Sequence, residues 1–184
     1  REDEAEAVVT SGSAALTRFA GNRIHQNVAE SDTRLTVRAA LGMRTGVAST
    51  NLLDEEALAR CASAAVEAAR HAPGDAGFPG LPAGEPGILA GRNTADVNAF
   101  DASRRAEAAA AIIAPAAAAA AGLIAAGTVS QSLYSLAVAN SRGVARATSS
   151  GDVRATVLTM GASGGSGWAS WLGASTAGFD PAAM

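Results

Sequence analysis

RFAGNRIHQNVAESDTRLTVRAALGMRTGVASTN, residues 18–51, decides the fold. From Asp32 onward apolar and polar residues alternate. Leu35, Val37 and Ala39 point one way and Arg34, Thr36 and Arg38 the other, which is the period of a half-buried strand. Ala20-Gly21-Asn22 supplies a turn before this strand, and Gly42 and Gly46 mark a second bend. The stretch therefore predicts a meander of strands that runs straight into a helix. Asp54 stands where an N-cap is needed, and Glu55 and Glu56 lie near the positive helix end. Leu53 and Leu58 occupy the positions of a hydrophobic staple. Leu58, Cys61, Ala62, Ala65 and Ala69 form one stripe that should face the sheet, and His71 and Pro73 close the helix.

Outward from this stretch the pattern continues. Strands are expected over 4–10, 14–20, 22–29, 32–41 and 44–50. Four of the six prolines fall between Pro73 and Pro86. Proline lacks a backbone donor, so residues 72–100 read as a linker or long surface connection. Asp101 should cap a second, alanine-rich helix that runs to about Ala121, with a kink or break at Pro115 and a stop at Gly122. Strands are expected near 123–131, 132–140, 143–149, 152–160 and 166–173. The fold class is α+β: two antiparallel sheets, each packed by a helix. The division along the chain is 1–72 (sheet plus helix), 73–100 (Pro/Gly-rich linker) and 101–184 (helix plus antiparallel strands). The second half echoes the first. Asp32-x-Arg-x-Thr-Val37 and Asp152-x-Arg-x-Thr-Val157 match, and Gly46-Val-Ala-Ser49 and Gly167-Trp-Ala-Ser170 follow them. Convergent hairpin patterning and an internal duplication both account for this.

Composition bounds the function. Hydrophobic residues make up 48% of the chain but aromatics only 4%, so the cores must be thin and rest on helix-on-sheet contact. A net charge of -3 argues against a nucleic-acid partner, which needs a concentrated basic surface. The lone Cys61 cannot form an internal disulfide, which fits a reducing compartment. The charged opening has no signal-peptide pattern, and no apolar run is long enough to span a bilayer. A cytoplasmic protein with no membrane partner is expected. The abrupt start in a strand and the end after a glycine-rich strand predict an N-terminal portion of a longer protein, with its second domain cut on the C-terminal side.

Candidate reactive residues are few. A metallopeptidase helix places ligands on one face, as His-Glu-x-x-x-His does. This chain has only His25 and His71, far apart and without a neighbouring ligand cluster. His25 reads as a solvent-facing strand residue, and His71 as a favourable charge in the last helical turn. Gly161-Ala-Ser163-Gly-Gly165 matches Gly-x-Ser-x-Gly, but strand signals follow it and no later histidine exists to complete a triad. A glycine-rich turn between strands is expected there. No lysine is present, which excludes a P-loop and a Schiff base. The chain carries no catalytic or metal-binding motif of its own and is expected to be inactive alone. Asn140, Ser141 and Gly143 read as a tight hairpin turn, or alternatively as an edge that meets a peptide. Trp168 and Trp171 are three apart, so in a strand they face opposite sides. One belongs to the core, and the other can cover a partner or domain contact.

Several of these features occur in a familiar order: Phe19-Ala-Gly-Asn22 before a polar strand, Gly42-Met-Arg-Thr-Gly-Val-Ala-Ser-Thr50 before a helix, Gly127-Thr-Val-Ser130, Leu136-Ala-Val-Ala-Asn-Ser-Arg-Gly143 and Ser166-Gly-Trp-Ala-Ser170. In order and spacing they resemble the N-terminal and central regions of the TldD/PmbA family, once called modulators of DNA gyrase. That family comprises intracellular metallopeptidases and their metal-free sister subunits. The resemblance implies part of a peptidase assembly that degrades or trims unstructured peptides, in which this part forms chamber walls and subunit contacts. It implies zinc in a catalytic subunit or in a C-terminal domain, and a homodimer or a heterodimer with a TldD-type subunit. The alternative it implies is a non-catalytic PmbA/TldE-type scaffold subunit that pairs with a metal-bearing sister.

Overall fold

The computed structural model describes residues 3–88, 91, 94–119 and 122–184. Seven strands and three helices follow in the order β1 (Glu4–Ala20), β2 (Arg23–Leu41), β3 (Arg44–Thr50), α1 (Glu55–His71), β4 (Pro86–Ile88), α2 (Ala95–Asn98), α3 (Ala102–Ala118), β5 (Ile124–Asn140), β6 (Ala145–Met160) and β7 (Ser166–Gly173), with a 3-10 turn at Pro181–Ala183. The class is α+β. Hydrogen bonding links the strands in the order β3-β2-β1-β5-β6-β4, and β7 also pairs with β6. One sheet of seven strands, six of them on one path and β7 branching from β6, thus stands where the sequence predicts two sheets. It is antiparallel at β2–β3 and β6–β7, while the short β4 runs parallel to β6.

The difference arises at residues that read as turns. Glu30-Ser31-Asp32 and Ser149-Ser150-Gly151 are small or polar, yet β2 and β6 pass through them. Ser11 Oγ and Thr33 Oγ1 share a hydrogen bond of 2.9 Å and so hold this polar stretch in strand form. Gly151 is needed for closeness: a Cβ there would meet Leu133 Cδ2 at 2.9 Å and Val97 Cγ1 at 3.1 Å.

Two compact units divide the chain. The first comprises Arg1–Gly12, Asp32–Gly91 and Ser135–Thr148, and the second Ser13–Ser31, Arg92–Tyr134 and Ser149–Met184. They interleave, where the sequence reading sets the consecutive segments 1–72, 73–100 and 101–184. Each long strand contributes one end to each unit.

In the first unit α1 lies on β3. Asp54 Oδ1 accepts from Ala57 N at 2.8 Å and caps the helix as expected. The buried row is Ala57, Cys61, Ala65 and Ala69, a strict i, i+4 series. Leu58 is only half-buried and Ala62 is exposed, so the row is narrower than the predicted stripe. Gly46 explains why: a Cβ on it would collide with Ala69 N and Ala65 O. Helix and strand backbones touch here, and only alanines fit between them. The segment that reads as a linker is anchored, not loose. Leu81 is buried, and its N–H donates to Glu4 Oε2 at 2.6 Å. Residues 89, 90, 92 and 93 of that segment lie outside the described residues.

In the second unit α3 starts at Asp101, whose Oδ1 accepts from Arg104 N at 3.0 Å. The helix passes through Pro115 without a break and ends at Ala118. The predicted end at Ala121 lies outside the described residues. Ile112 and Ile113 pack with Phe19, Val129, Val153 and Val157. Trp171 stacks on Phe179 with centroids 4.7 Å apart, and Phe100 meets Phe179 edge-on at 6.1 Å. The two Asp-x-Arg-x-Thr-Val copies each sit where a long strand leads into a hairpin, with Arg34 and Arg154 exposed and Leu35 and Ala155 buried. This correspondence fits convergence and duplication alike.

The Gly46 contact yields a test. Gly46→Val should destabilise the chain by about 1–3 kcal/mol, the usual range for overpacking a tight contact, read as a lowered urea midpoint.

Candidate functional site

The turn Asn140-Ser-Arg-Gly143 is held by a dense set of local bonds. Asn140 Oδ1 accepts from Arg142 N at 2.9 Å and from Val144 N at 3.0 Å, and its Nδ2 donates to Pro82 O at 2.9 Å. Ser141 Oγ accepts from Ala5 N at 3.0 Å, and Ser141 N donates to Ala5 O at 2.8 Å. Gly143 has φ 89°, and a Cβ on it would sit 2.6 Å from Gly84 O. Of the two residues able to take the positive φ, Gly143 takes it. Asn140 instead spends its amide on the turn and on the proline-rich segment. Arg142 Nη1 reaches Leu81 O at 3.1 Å and Glu4 Oε1 at 3.3 Å.

Asn140 also lines an open apolar groove in the first unit, of about 620 Å3. Its walls are Leu53, Leu58 and Ala62 at α1 and Ala5, Ala7, Val9, Leu35 and Val37 on the sheet, with Glu6 at the rim. Glu6 Oε1 accepts from Arg38 Nη2 at 2.8 Å. A second hollow of about 480 Å3 shares Ala7, Val9 and Ala139 and extends to Pro86 and Ala147. Most of these side chains are aliphatic, so the surface can bind apolar groups, and Glu6, Asn140 and Arg146 are the polar residues that line it.

The second unit has its own hollow of about 440 Å3, lined among others by Arg18, His25, Thr128, Thr156, Leu158 and Trp168. Trp168 is 69% exposed, whereas Trp171 packs against the core. His25 is exposed on β2. His71 Nε2 lies 3.0 Å from Glu67 Oε1, and this bond, with Arg70, holds the Glu67 carboxyl below its ordinary range. No group of three or more His, Cys, Asp or Glu among the described residues could hold a metal ion. The donors among the described residues therefore do not fit zinc. Ser163 stands in a hairpin turn closed by Gly161 N to Gly165 O at 2.8 Å, with strands on both sides. That is not the strand-to-helix elbow a nucleophilic serine needs. Among the described residues no helix is long and apolar enough to cross a membrane.

Arg105 is buried, at 3% exposure, and among the described residues its bonds run to a carbonyl and an amide oxygen. Its Nη1 donates to Phe100 O at 3.0 Å and its Nη2 to Asn27 Oδ1 at 3.3 Å. Burial lowers its pKa and the Asp101 charge opposes that. Gln131, with its amide nitrogen turned inward, donates to Val97 O at 3.1 Å and to Phe100 O. Arg105 and Gln131 thus satisfy carbonyls in and just after α2, a structural duty. Sequence reasoning missed both this network and the grooves. The alternation of Ala5, Ala7 and Val9 signalled a buried face, but nothing local showed that α1 would leave it uncovered.

Residues 5–69 match the family model described as PmbA/TldA metallopeptidase domain 1. A search of curated proteins gave no match. Among solved structures the chain is similar to TldE from Thermococcus kodakarensis, with a TM-score of 0.77 and 18% identity over 92% of this chain and 39% of that one. It is also similar to a protein from Thermotoga maritima described as a candidate modulator of a DNA gyrase, with TM-score 0.70 and 14% identity over 98% of this chain and 42% of that one. A counterpart from Bacteroides thetaiotaomicron gives TM-score 0.70 and 17% identity over 92% of this chain and 40% of that one. At these identities the likeness concerns the fold. The chain spans about two fifths of each of these structures.

Two outcomes follow from the geometry. Asn140→Ala removes three side-chain hydrogen bonds and should cost about 2 kcal/mol of stability in urea unfolding. Asp96 accepts from Thr176 N at 2.7 Å, and this bond holds its carboxyl below the usual range. A depressed folded pKa contributes stability that is present above the unfolded aspartate value of about 3.9 and is lost as pH falls through the lower, folded value. Asp96→Asn should therefore flatten the acid limb of an unfolding-versus-pH curve and leave its slope near neutrality unchanged.

Proposed function

We propose, from the premise that this chain belongs to the TldD/PmbA family by its first domain, that it forms the N-terminal part of a peptidase assembly that degrades or trims unstructured peptides. In this reading the chain supplies chamber walls and subunit contacts, and a partner subunit or further domain supplies the zinc site and the reacting groups. The observation that carries the reading is the match of residues 5–69 to a metallopeptidase first domain.

The aliphatic grooves suit a wall. They offer apolar surface to side chains of many shapes, and Asn140, Glu6 and Arg146 are the polar groups beside them. A peptide added to an exposed strand edge would be held through its backbone, with little demand on its sequence. The assembly is a homodimer or a heterodimer with a TldD-type subunit, it works in the cytoplasm, and it involves neither nucleic acid nor membrane. A second reading, a non-catalytic PmbA/TldE-type scaffold subunit that pairs with a metal-bearing sister, is supported by the likeness in fold to TldE from Thermococcus kodakarensis.

Zinc analysis and cleavage of an unstructured peptide, measured on the same samples, test the proposal. The chain alone should bind no stoichiometric zinc and cleave nothing. Metal and cleavage should appear when a metal-bearing TldD-type partner is added. Stoichiometric zinc with cleavage in the chain alone would overturn the division of labour, and no association with any such partner would overturn the assembly.

A further inference from the structure

Residues 174–184 leave β7 and lie against the second unit outside its sheet. Most of their hydrogen bonds are local. Phe179 N donates to Thr176 O at 3.1 Å, and Ala177 N to Ser175 Oγ at 3.1 Å. Ala182 N donates to Asp180 Oδ1 at 3.1 Å, and Ala183 N to Asp180 O at 3.3 Å. Among the described residues, the hydrogen bonds that tie this segment to the rest of the unit end on one atom, Asp96 Oδ2 on α2. It accepts from Thr176 N at 2.7 Å and from Thr176 Oγ1 at 3.3 Å.

One ring supplies the main apolar fastening. Phe179 stacks on Trp171 at 4.7 Å and meets Phe100 edge-on at 6.1 Å. A Cβ on Gly173 would collide with the Trp171 ring, so that ring also lies directly against the backbone at the end of β7. Phe179 and Met184 are only partly buried against the core, and Pro181–Ala183 rests on α3. The core beneath is closed by other residues: Val97 is at 0% exposure and Phe100 at 6%. A segment with local bonds, partly buried contacts and one polar anchor opens at lower free energy than a helix or sheet whose bonds cooperate. The anchor itself is a carboxylate bonded to an amide, stronger than a neutral pair. The segment is thus fastened at two points and loose between them.

We infer that residues 174–184 form a strap that opens as a unit while the sheet and α3 stay folded, with Asp96 as its latch and Phe179 as its plug. Opening withdraws Phe179 from Trp171 and Phe100, so access to these two rings is set by one carboxylate. The strap rests on no part of the proposed function, and its failure would leave the zinc and cleavage experiment unaffected.

Residue-resolved amide hydrogen exchange on the whole chain, at rising urea below the unfolding transition, tests it. In the wild-type chain the Phe179 and Ala183 amides should exchange faster than those of Ile112 and Ile113 on α3. Their exchange should respond weakly to urea, because a strap exposes little surface, whereas the α3 amides should respond steeply. Asp96→Ala should speed exchange at Phe179 and Ala183 about tenfold or more, with their weak urea response and the far-UV circular dichroism unchanged. Both amides donate within the strap, so the substitution removes neither acceptor and acts on them only through opening. Should Asp96→Ala unfold the chain, Asp96→Asn is read in its place, with a smaller increase at the same amides. The wild-type measurement needs no substitution. Phe179 and Ala183 amides that share the rate and urea response of α3 overturn the inference. So does a folded Asp96 variant in which their exchange is unchanged.

Discussion

Contact without bulk is the constraint on which this structure depends. Gly46 lies so close beneath Ala65 and Ala69 that no side chain fits between strand and helix. Gly127 repeats the device in the second unit, where a Cβ would collide with Thr156 O and crowd Phe19 Cζ at 2.7 Å. A chain with 4% aromatics cannot gain much burial from any one residue. It gains it by bringing backbones together, so that each small side chain is fully enclosed. Ala65, Ala69, Ala109, Ala125 and Ala155 are all at 0% exposure for this reason. The cost is tolerance: neighbours at such contacts cannot shift to admit a methyl group.

The long strands follow the same economy, and two asparagines fix where they turn. Asn22, at φ 58°, accepts from Ala125 N at 2.7 Å through Oδ1 and donates to Leu123 O at 2.9 Å through Nδ2. The β1–β2 turn is thereby tied to the start of β5. Asn140 does the equivalent at the β5–β6 turn, tying it to Pro82. In each case one amide serves as donor and acceptor to backbone groups that would otherwise lack partners, at points where the chain leaves regular pairing.

These local devices are what the sequence made legible. Asp54 and Asp101 as caps, Gly21-Asn22 and Gly143 in tight turns, and the bounds of β3, α1 and β7 all depend on a few adjacent residues whose chemistry is decisive wherever they occur. The continuity of β1, β2, β5 and β6 was not legible. Ser11, Ser31 and Gly151 carry turn propensity, and only pairing across the sheet overrides it. The stripe on α1 held at Cys61, Ala65 and Ala69 but was drawn too wide, with Leu58 and Ala62 in place of Ala57, because the buried row is set by Gly46, a residue on another element. For the candidate surfaces, the opposite facing of Trp168 and Trp171 could be read from strand period. The groove beside α1 could not, because a groove is made by what a helix leaves uncovered.

A chain built this way leaves apolar surface beside its close backbone contacts. Catalytic groups need a polar pocket in which donors and acceptors converge and pKa values are pushed apart. Here the shifted groups are spent on structure: Glu67 on His71 and Arg70, Asp96 on Thr176, and Arg105 on the carbonyl that ends the α2 region. The open surface is aliphatic beside α1, and in the second unit it is mixed, with Arg18, His25 and Trp168 lining one hollow.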